Sequence, residues 1–152
     1  LDPTAPRTVY AGGETYAGAP LLYRSLDGGT AWTRLNGPFT KGVKAVAINP
    51  RAAEEIYAGT AGGLWRSKDK GTSWTRCPGI ASALAIAVND ADPNQVFAGG
   101  EKGVFVSADK GASWKSIGAG LKAKKITSLI YNSALRTLFA GAGGGGVCAL
   151  EL

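Results

Sequence analysis

A repeat of about 40 residues runs through this chain of 152 amino acids and constrains its fold more than any other feature. An aromatic-Ala-Gly triplet begins at Tyr10, Tyr57, Phe97 and Phe139, with spacings of 47, 40 and 42 residues. A second motif, S-x-D-x-G-x-x-W, follows each of the first three triplets, and its tryptophans are 42 and 40 residues apart. Because the two motifs stay in phase, each unit is expected to be one supersecondary element of a repeat architecture.

Each unit contains four short strand candidates. They are residues 43–48, 55–58, 63–67 and 73–77 in the second unit, and 83–88, 95–98, 103–107 and 113–117 in the third. Polarity alternates along them, as in Leu64 and Arg66 against Trp65 and Ser67. Links rich in Gly, Pro and Asn separate the strands. A period of 40–47 residues with four strands per unit predicts β-propeller blades.

We therefore predict an all-β fold, a single propeller domain over residues 1–152, with about four blades of antiparallel strands. The blades divide as residues 8–35, 43–77, 83–117 and 126–152. With strands lettered A to D from the axis outward, the middle two blades are complete. The first lacks strand A and the last lacks strand D, so each has three strands.

The ring has to be completed in some way, because open blades leave apolar faces and sheet edges bare. The absence of methionine and a start inside a blade favour a piece of a longer propeller whose N-terminal blades are missing from this sequence. Closure by self-association or by a partner chain is a second possibility, and a small closed ring of four blades is a third.

The eight-residue motif resembles the Asp-box, or BNR repeat, of sialidases, xyloglucan-active propeller glycosidases, sortilin-type receptors and Ycf48-type photosystem II assembly factors. The second and third copies match that pattern fully, the first has Ala31 where Thr or Ser is usual, and the fourth unit has no copy. The structural positions of the boxes are Ser25, Asp27, Gly29, Trp32, Ser67, Asp69, Gly71, Trp74, Ser107, Asp109, Gly111 and Trp114.

Each box is expected to form a tight turn between strands C and D. Its Asp carboxylate would accept hydrogen bonds from the following backbone N–H groups, and its Gly would take a positive φ. Its Trp would begin strand D and pack between blades. A catalytic or calcium-binding role is disfavoured, since there is one acid per blade and the resemblance places the boxes away from the ligand face. We predict no metal site and no cofactor.

The candidate binding face carries the B–C and D–A loops. Its longest loop, residues 13–20, contributes Glu14 and Tyr16, and a later loop contributes Glu101 and Lys102. The D–A loops add five lysines: Lys41, Lys44, Lys122, Lys124 and Lys125. The alternative is that all of these side chains are merely solvated.

Several other functions are disfavoured by composition. No histidine is present, which excludes Ser-His-Asp and Cys-His catalysis within this chain. The net charge of +6 permits contact with polyanions, but no basic and aromatic platform is visible, so nucleic-acid binding is disfavoured. Cys77 and Cys148 form no CxxC motif, and their redox state is left open. No apolar stretch approaches the length of a membrane span.

Two functions are retained. The first is a non-catalytic interaction or scaffold module that binds a protein or glycan partner. In its protein-binding version the lysine-rich face meets an acidic partner. The second is a fragment or subunit of a secreted propeller glycoside hydrolase, sialidase-like or xyloglucanase-like. The chain shows no recognisable catalytic constellation, which favours the first. The resemblance favours a secreted or periplasmic location.

Overall fold

The computed structural model describes residues 2, 4–118 and 125–152, and the secondary structure of that part consists of strands and turns. The strands are β1 (Val9–Glu14), β2 (Pro20–Ser25), β3 (Thr33–Arg34), β4 (Val43–Ile48), β5 (Ile56–Thr60), β6 (Gly63–Ser67), β7 (Thr75–Cys77), β8 (Ala85–Val88), β9 (Val96–Gly100), β10 (Gly103–Ser107), β11 (Lys115–Ser116), β12 (Ile126–Asn132), β13 (Thr137–Ala142) and β14 (Gly146–Glu151). Among these residues no helix could cross a membrane.

The strands form four antiparallel sheets, each of which is a propeller blade. Blades 1 to 4 contain β1–β3, β4–β7, β8–β11 and β12–β14, and every strand pairs with its neighbour in sequence. The middle blades have four strands and the outer blades three, which confirms the predicted all-β propeller class. Within the described residues, blade 1 does not pack on blade 4, so this part of the chain does not close into a ring of four blades.

The core consists of three apolar layers, one between each pair of successive blades. Leu22, Phe39, Val43 and Ala58 are buried between blades 1 and 2, and the larger clusters around Tyr57 and Phe97 fill the next two interfaces. Strands β5 and β9 are buried along their whole length because a neighbouring blade covers each of their faces. Burial between blades therefore supplies most of the apolar stabilisation.

The glycine of the aromatic-Ala-Gly triplet lets successive blades approach closely. A Cβ at Gly12 would lie 2.6 Å from Val43 Cγ1, and one at Gly59 would lie 2.6 Å from the Ala83 carbonyl oxygen. At Gly99 the same atom would lie 2.5 Å from Ile126 Cγ2. Each contact is made with the segment at the start of the next blade. The glycine therefore recurs in the triplet because a larger residue would not fit between the blades.

Several strand boundaries differ from the sequence-based prediction. The outermost strands begin at Thr75 and Lys115, two residues later than predicted, because the box occupies the residues before them. The third inner strand begins at Ala85 and not at Ala83, since the Ala83 amide donates to the Thr60 carbonyl of the preceding blade at 2.8 Å.

Candidate functional site

Each of the three eight-residue boxes forms a turn held together by its Asp carboxylate and its first serine. In the second box, Asp69 Oδ1 accepts from Ser67 Oγ at 2.7 Å and from the Ser73 amide at 2.8 Å, and Ser73 Oγ donates to Oδ2. The Ser67 hydroxyl oxygen also accepts from the Gly71 amide at 2.8 Å. The same bonds recur around Asp109. The polar atoms of the box are therefore occupied within the turn.

These hydrogen bonds stabilise the ionised acids. The Ser73 hydroxyl and amide lower the pKa of Asp69 to about 2, and Ser107 and Ser113 lower the pKa of Asp109 to about 2. The pKa of Asp27 is also lowered, chiefly by the Ala31 amide, but no hydroxyl bond to position 31 is possible there. Because all three carboxylates remain charged and serve their own turns, we interpret them as structural.

The boxes also contact the preceding blade. Lys70 and Lys110 have φ of 59° and 60°, which turns their carbonyl groups toward the blade before. The Tyr57 hydroxyl donates to the Lys110 carbonyl at 3.3 Å, and the Tyr10 hydroxyl reaches the Lys70 carbonyl at 3.5 Å. The third triplet has Phe97 at this position, which has no hydroxyl group, and blade 4 has no box to offer a carbonyl group. This bond between blades is therefore not repeated between blades 3 and 4.

The three box tryptophans differ in environment. Trp74 packs against Phe39 with ring centroids 5.1 Å apart, and Trp114 packs on the apolar cluster between blades 2 and 3. Trp32 is 43% exposed, and no described blade precedes it. All three precede their strands, and each indole N–H donates to the box glycine carbonyl at 3.0–3.2 Å. Within the described residues, Trp74 and Trp114 thus pack between two blades, whereas Trp32 lies on the blade that has no described neighbour before it.

Two predicted acids of the loop face pair with two predicted lysines. Glu14 binds Lys44 across blades 1 and 2, and its side chain lies against Gly42, where a Cβ would collide with it. Glu101 lies 3.1 Å from Lys125, which leads into blade 4. Each acid neutralises one lysine, so the positive charge of this face is smaller than its number of lysines suggests.

Three further predicted residues of this face are exposed. Tyr16 is fully exposed at the tip of the β1–β2 hairpin, where the Thr15 amide donates to the Ala19 carbonyl at 2.8 Å. Lys41 and Lys102 are exposed and form no ion pair with the residues that the structure describes. Lys122 and Lys124 lie outside the described residues.

A buried ion network between blades 2 and 3 was not found from the sequence. Glu55, whose side chain is only 5% exposed, pairs with Arg66 and lies 3.4 Å from the Lys110 ammonium. Its Oε2 accepts from Asn49 Nδ2 at 2.6 Å. Burial raises the pKa of Glu55, but the Asn49 bond and the Arg66 charge outweigh it and hold the pKa below its ordinary value. The sequence did contain a signal for this network, because the acid Glu55 departs from the repeat: the neutral residues Thr8 and Gln95 stand at the equivalent positions of blades 1 and 3.

Beside this network lies a cavity of about 350 Å³. Its walls come from β6, β7 and the box turn of blade 3, and its cationic lining residues are Arg66, Lys68, Arg76 and Lys110. Cys77 contributes a buried thiol, and that burial raises its pKa to about 11, so the group stays protonated at neutral pH. Both cysteines are free. No group of three or more His, Cys, Asp or Glu side chains in the described part of the chain could hold a metal.

Solved structures share this fold at low sequence identity. The GH74 xyloglucanase from Xanthomonas campestris aligns with a TM-score of 0.81 and 17% identity over 99% of this chain and 28% of its own. Ycf48 bound to D1 peptide aligns with a TM-score of 0.68 and 15% identity over 96% and 48%. The WD40 propeller domain of Doa1 aligns with a TM-score of 0.71 and 15% identity over 95% and 46%.

These similarities show a β-propeller and nothing narrower. The chain spans about a quarter of the length of the GH74 structures that it matches. No family model matches the sequence, and no curated protein is detectably similar to it. The same fold is thus found in a glycoside hydrolase, in a peptide-bound protein and in a WD40 domain.

Proposed function

We propose that this propeller is an interaction module that binds an acidic partner protein through the loop face defined by Tyr16, Lys41 and Lys102. The observation that carries the proposal is the full exposure of Tyr16 at the tip of a projecting hairpin. Large aromatic side chains combine apolar area with a polar group, and they are enriched at protein interfaces.

The hairpin supports such a role because it is held in one conformation. Strands β1 and β2 pair over six residues, from Val9 with Ser25 to Glu14 with Pro20. The Thr15 hydroxyl accepts from the Ala19 amide at 3.0 Å, and Gly18 has a φ of 80° that suits the turn. A fixed hairpin loses little conformational entropy when a partner binds to its tip.

Charge supports an acidic partner. The chain carries a net charge of +6, and Lys41 and Lys102 are exposed on the loop face. The lysines paired with Glu14 and Glu101 contribute less, since their charges are already neutralised. Complementary charge of this kind accelerates association and depends on ionic strength.

The test is capture of a glutamate-rich peptide or an acidic protein on the immobilised chain at low and high salt. We expect Tyr16→Ala to weaken capture at both salt concentrations, and Lys41→Glu with Lys102→Glu to abolish its salt dependence. Leu26→Ala removes an exposed apolar side chain of the box region, and Lys115→Glu reverses an exposed charge on β11, so both are matched controls. Equal losses for test and control variants would refute this surface.

A second candidate is a portion of a propeller glycoside hydrolase. The chain aligns with three GH74 enzymes at TM-scores of 0.75–0.81, which are higher than those with Ycf48 (0.68) and Doa1 (0.71). This difference supports the glycoside hydrolase candidate. Against it, the three box acids serve their turns, and Glu14, Glu55 and Glu101 pair with cations. Turnover of a xyloglucan or sialoside substrate by the longest product of the gene, abolished by replacement of one acid, would establish this alternative.

A further inference from the structure

The cavity between blades 2 and 3 is a cleft with cations on its walls, and none of the described residues that line it carries a carboxylate. Arg66 and Lys68 reach it from blade 2, and Lys110 reaches it from the box turn of blade 3. The hydroxyl groups of Ser73 and Thr75 line the same space and add polar atoms. Cations from two blades that meet in one concave space form a favourable environment for an anion.

The nearest acids offset only part of this charge. Glu55 pairs with Arg66 and approaches Lys110, which offsets about one of the cations. Asp69 and Asp109 lie in the flanking boxes and keep their negative charges, because the N–H and O–H donors of their own turns are neutral. Arg76 donates to the Gly62 carbonyl at 3.1 Å, a neutral partner that leaves its charge in place. The four cations of the cleft therefore outnumber these three acids by one.

Arg66 lines the cleft, and its side chain is 19% exposed. One of its terminal nitrogens binds Glu55. Its Nε is buried, as is Nε of Arg24 in blade 1, so an oxyanion in the cleft would be reached by the terminal nitrogens of Arg66. Guanidinium groups bind phosphate and carboxylate oxygens with two parallel hydrogen bonds, which suits this side chain to the role.

The corresponding place between blades 1 and 2 is built differently. Leu26 stands where blade 2 has Lys68, and Leu35 stands where it has Cys77. Arg24 folds onto the box, with Nη1 donating to the Lys70 carbonyl at 3.3 Å. Three of the four cations recur in the first interface, since Arg24, Arg34 and Lys70 stand at the positions of Arg66, Arg76 and Lys110. The departure from the repeat is therefore Lys68, which adds a fourth cation to the second interface.

We propose that this cleft is a binding site for a phosphate group, held between Arg66 and Lys68 of blade 2 and Lys110 of blade 3. The group is either inorganic phosphate or the phosphoryl group of a modified side chain, since both present the same oxygens. Because the ligand contacts two blades at once, its binding stabilises their interface and raises the melting temperature of the chain. This site is separate from the loop face of the proposed function and does not depend on it.

The test measures the melting temperature and the binding heat with inorganic phosphate, at an ionic strength held constant with NaCl. We expect phosphate to raise the melting temperature of the unmodified chain, and Lys68→Gln or Lys110→Gln to reduce the binding constant at least tenfold. Lys70→Gln is the matched control, because Lys70 occupies the equivalent box position of the first interface. A phosphoserine peptide in place of inorganic phosphate distinguishes the two sources.

Each outcome decides the question. Binding of either probe that is lost in Lys68→Gln and retained in Lys70→Gln supports the site. Absence of binding by both probes, or an equal response of all three variants, overturns it. Circular dichroism of the variants without ligand checks that each is folded, and a Lys68→Arg variant, which keeps the charge on this exposed residue, should restore binding.

Discussion

Replacement of Gly111 by alanine tests how tightly the boxes lock one blade to the next. Gly111 has a φ of 91°, and a Cβ there would lie 2.9 Å from Cys77 Sγ and 3.4 Å from a ring carbon of Trp114. Cys77 is 4% exposed on β7 of the preceding blade, so its sulfur has little room to withdraw. The substitution therefore combines backbone strain with a collision between blades.

The two contributions can be separated by a control at Gly103. This residue has a φ of 104°, and a Cβ there would meet nothing within 4 Å, so Gly103→Ala reports backbone strain alone. A positive φ costs an alanine about 1–2 kcal/mol, and overpacking of a filled site costs about 1–3 kcal/mol more. We expect Gly111→Ala to lower the free energy of unfolding by about 2–5 kcal/mol and Gly103→Ala by about 1–2 kcal/mol.

A double-mutant cycle with Cys77→Ala identifies the collision directly. That change removes Sγ and leaves Cys77 Cβ, which would lie 3.7 Å from the new methyl group. Because the overpacking is then relieved, Gly111→Ala should cost about 1–3 kcal/mol less in the Cys77→Ala background. Urea unfolding followed by tryptophan fluorescence measures all four species. Additivity within about 0.5 kcal/mol would refute the claim that this pair transmits the strain.

Three further predictions concern the boxes and the bonds between blades. Ala31→Ser should supply the hydroxyl that Ser73 and Ser113 give their acids, so NMR titration should show a lower pKa for Asp27, and the melting temperature should rise. Tyr57→Phe removes hydrogen bonds of 3.3–3.4 Å to the Lys110 carbonyl and Glu55, and should cost about 0.5–1.5 kcal/mol in urea unfolding. The pKa of Asp69 is about 2 in the folded chain against 3.8 in the unfolded chain, so its ionised carboxylate stabilises the fold above pH 3.8, and this stability is lost as the pH falls toward 2. The melting temperature should therefore fall between pH 3.8 and pH 2, and it should fall less in Asp69→Asn. The first prediction fails if the pKa of Asp27 is the same in Ala31→Ser, and the second fails if Tyr57→Phe unfolds at the same urea concentration as the unmodified chain. The third fails if the melting temperatures of the unmodified chain and of Asp69→Asn fall in parallel as the pH is lowered.

Local patterns were sufficient to predict the blades and the turns. Three in-phase boxes and four triplets specify strand number and order, because each unit repeats the same short-range chemistry. Side-chain to backbone bonds such as those of Asp69 span at most four residues, so they can be read from the sequence alone. The predicted fold class is confirmed for this reason.

Contacts between blades were harder to predict, because they join residues about 24 to 60 positions apart. Glu14 pairs with Lys44 and Glu101 pairs with Lys125 across neighbouring loops. A count of charged residues does not show which acid lies next to which lysine. The buried Glu55 network and the cleft beside it need the packing distance and the angle between two sheets. The distance and the angle between two sheets cannot be derived from the periodicity of the sequence.

The sequence by itself thus determined the architecture, since hydrogen bonding within a hairpin or a box is local and repeats with the residues that cause it. Only the tertiary structure decided which charges remain free for a partner. That outcome depends on which side chains face each other across a blade interface, where burial strengthens some ion pairs and leaves other cations in an open cleft.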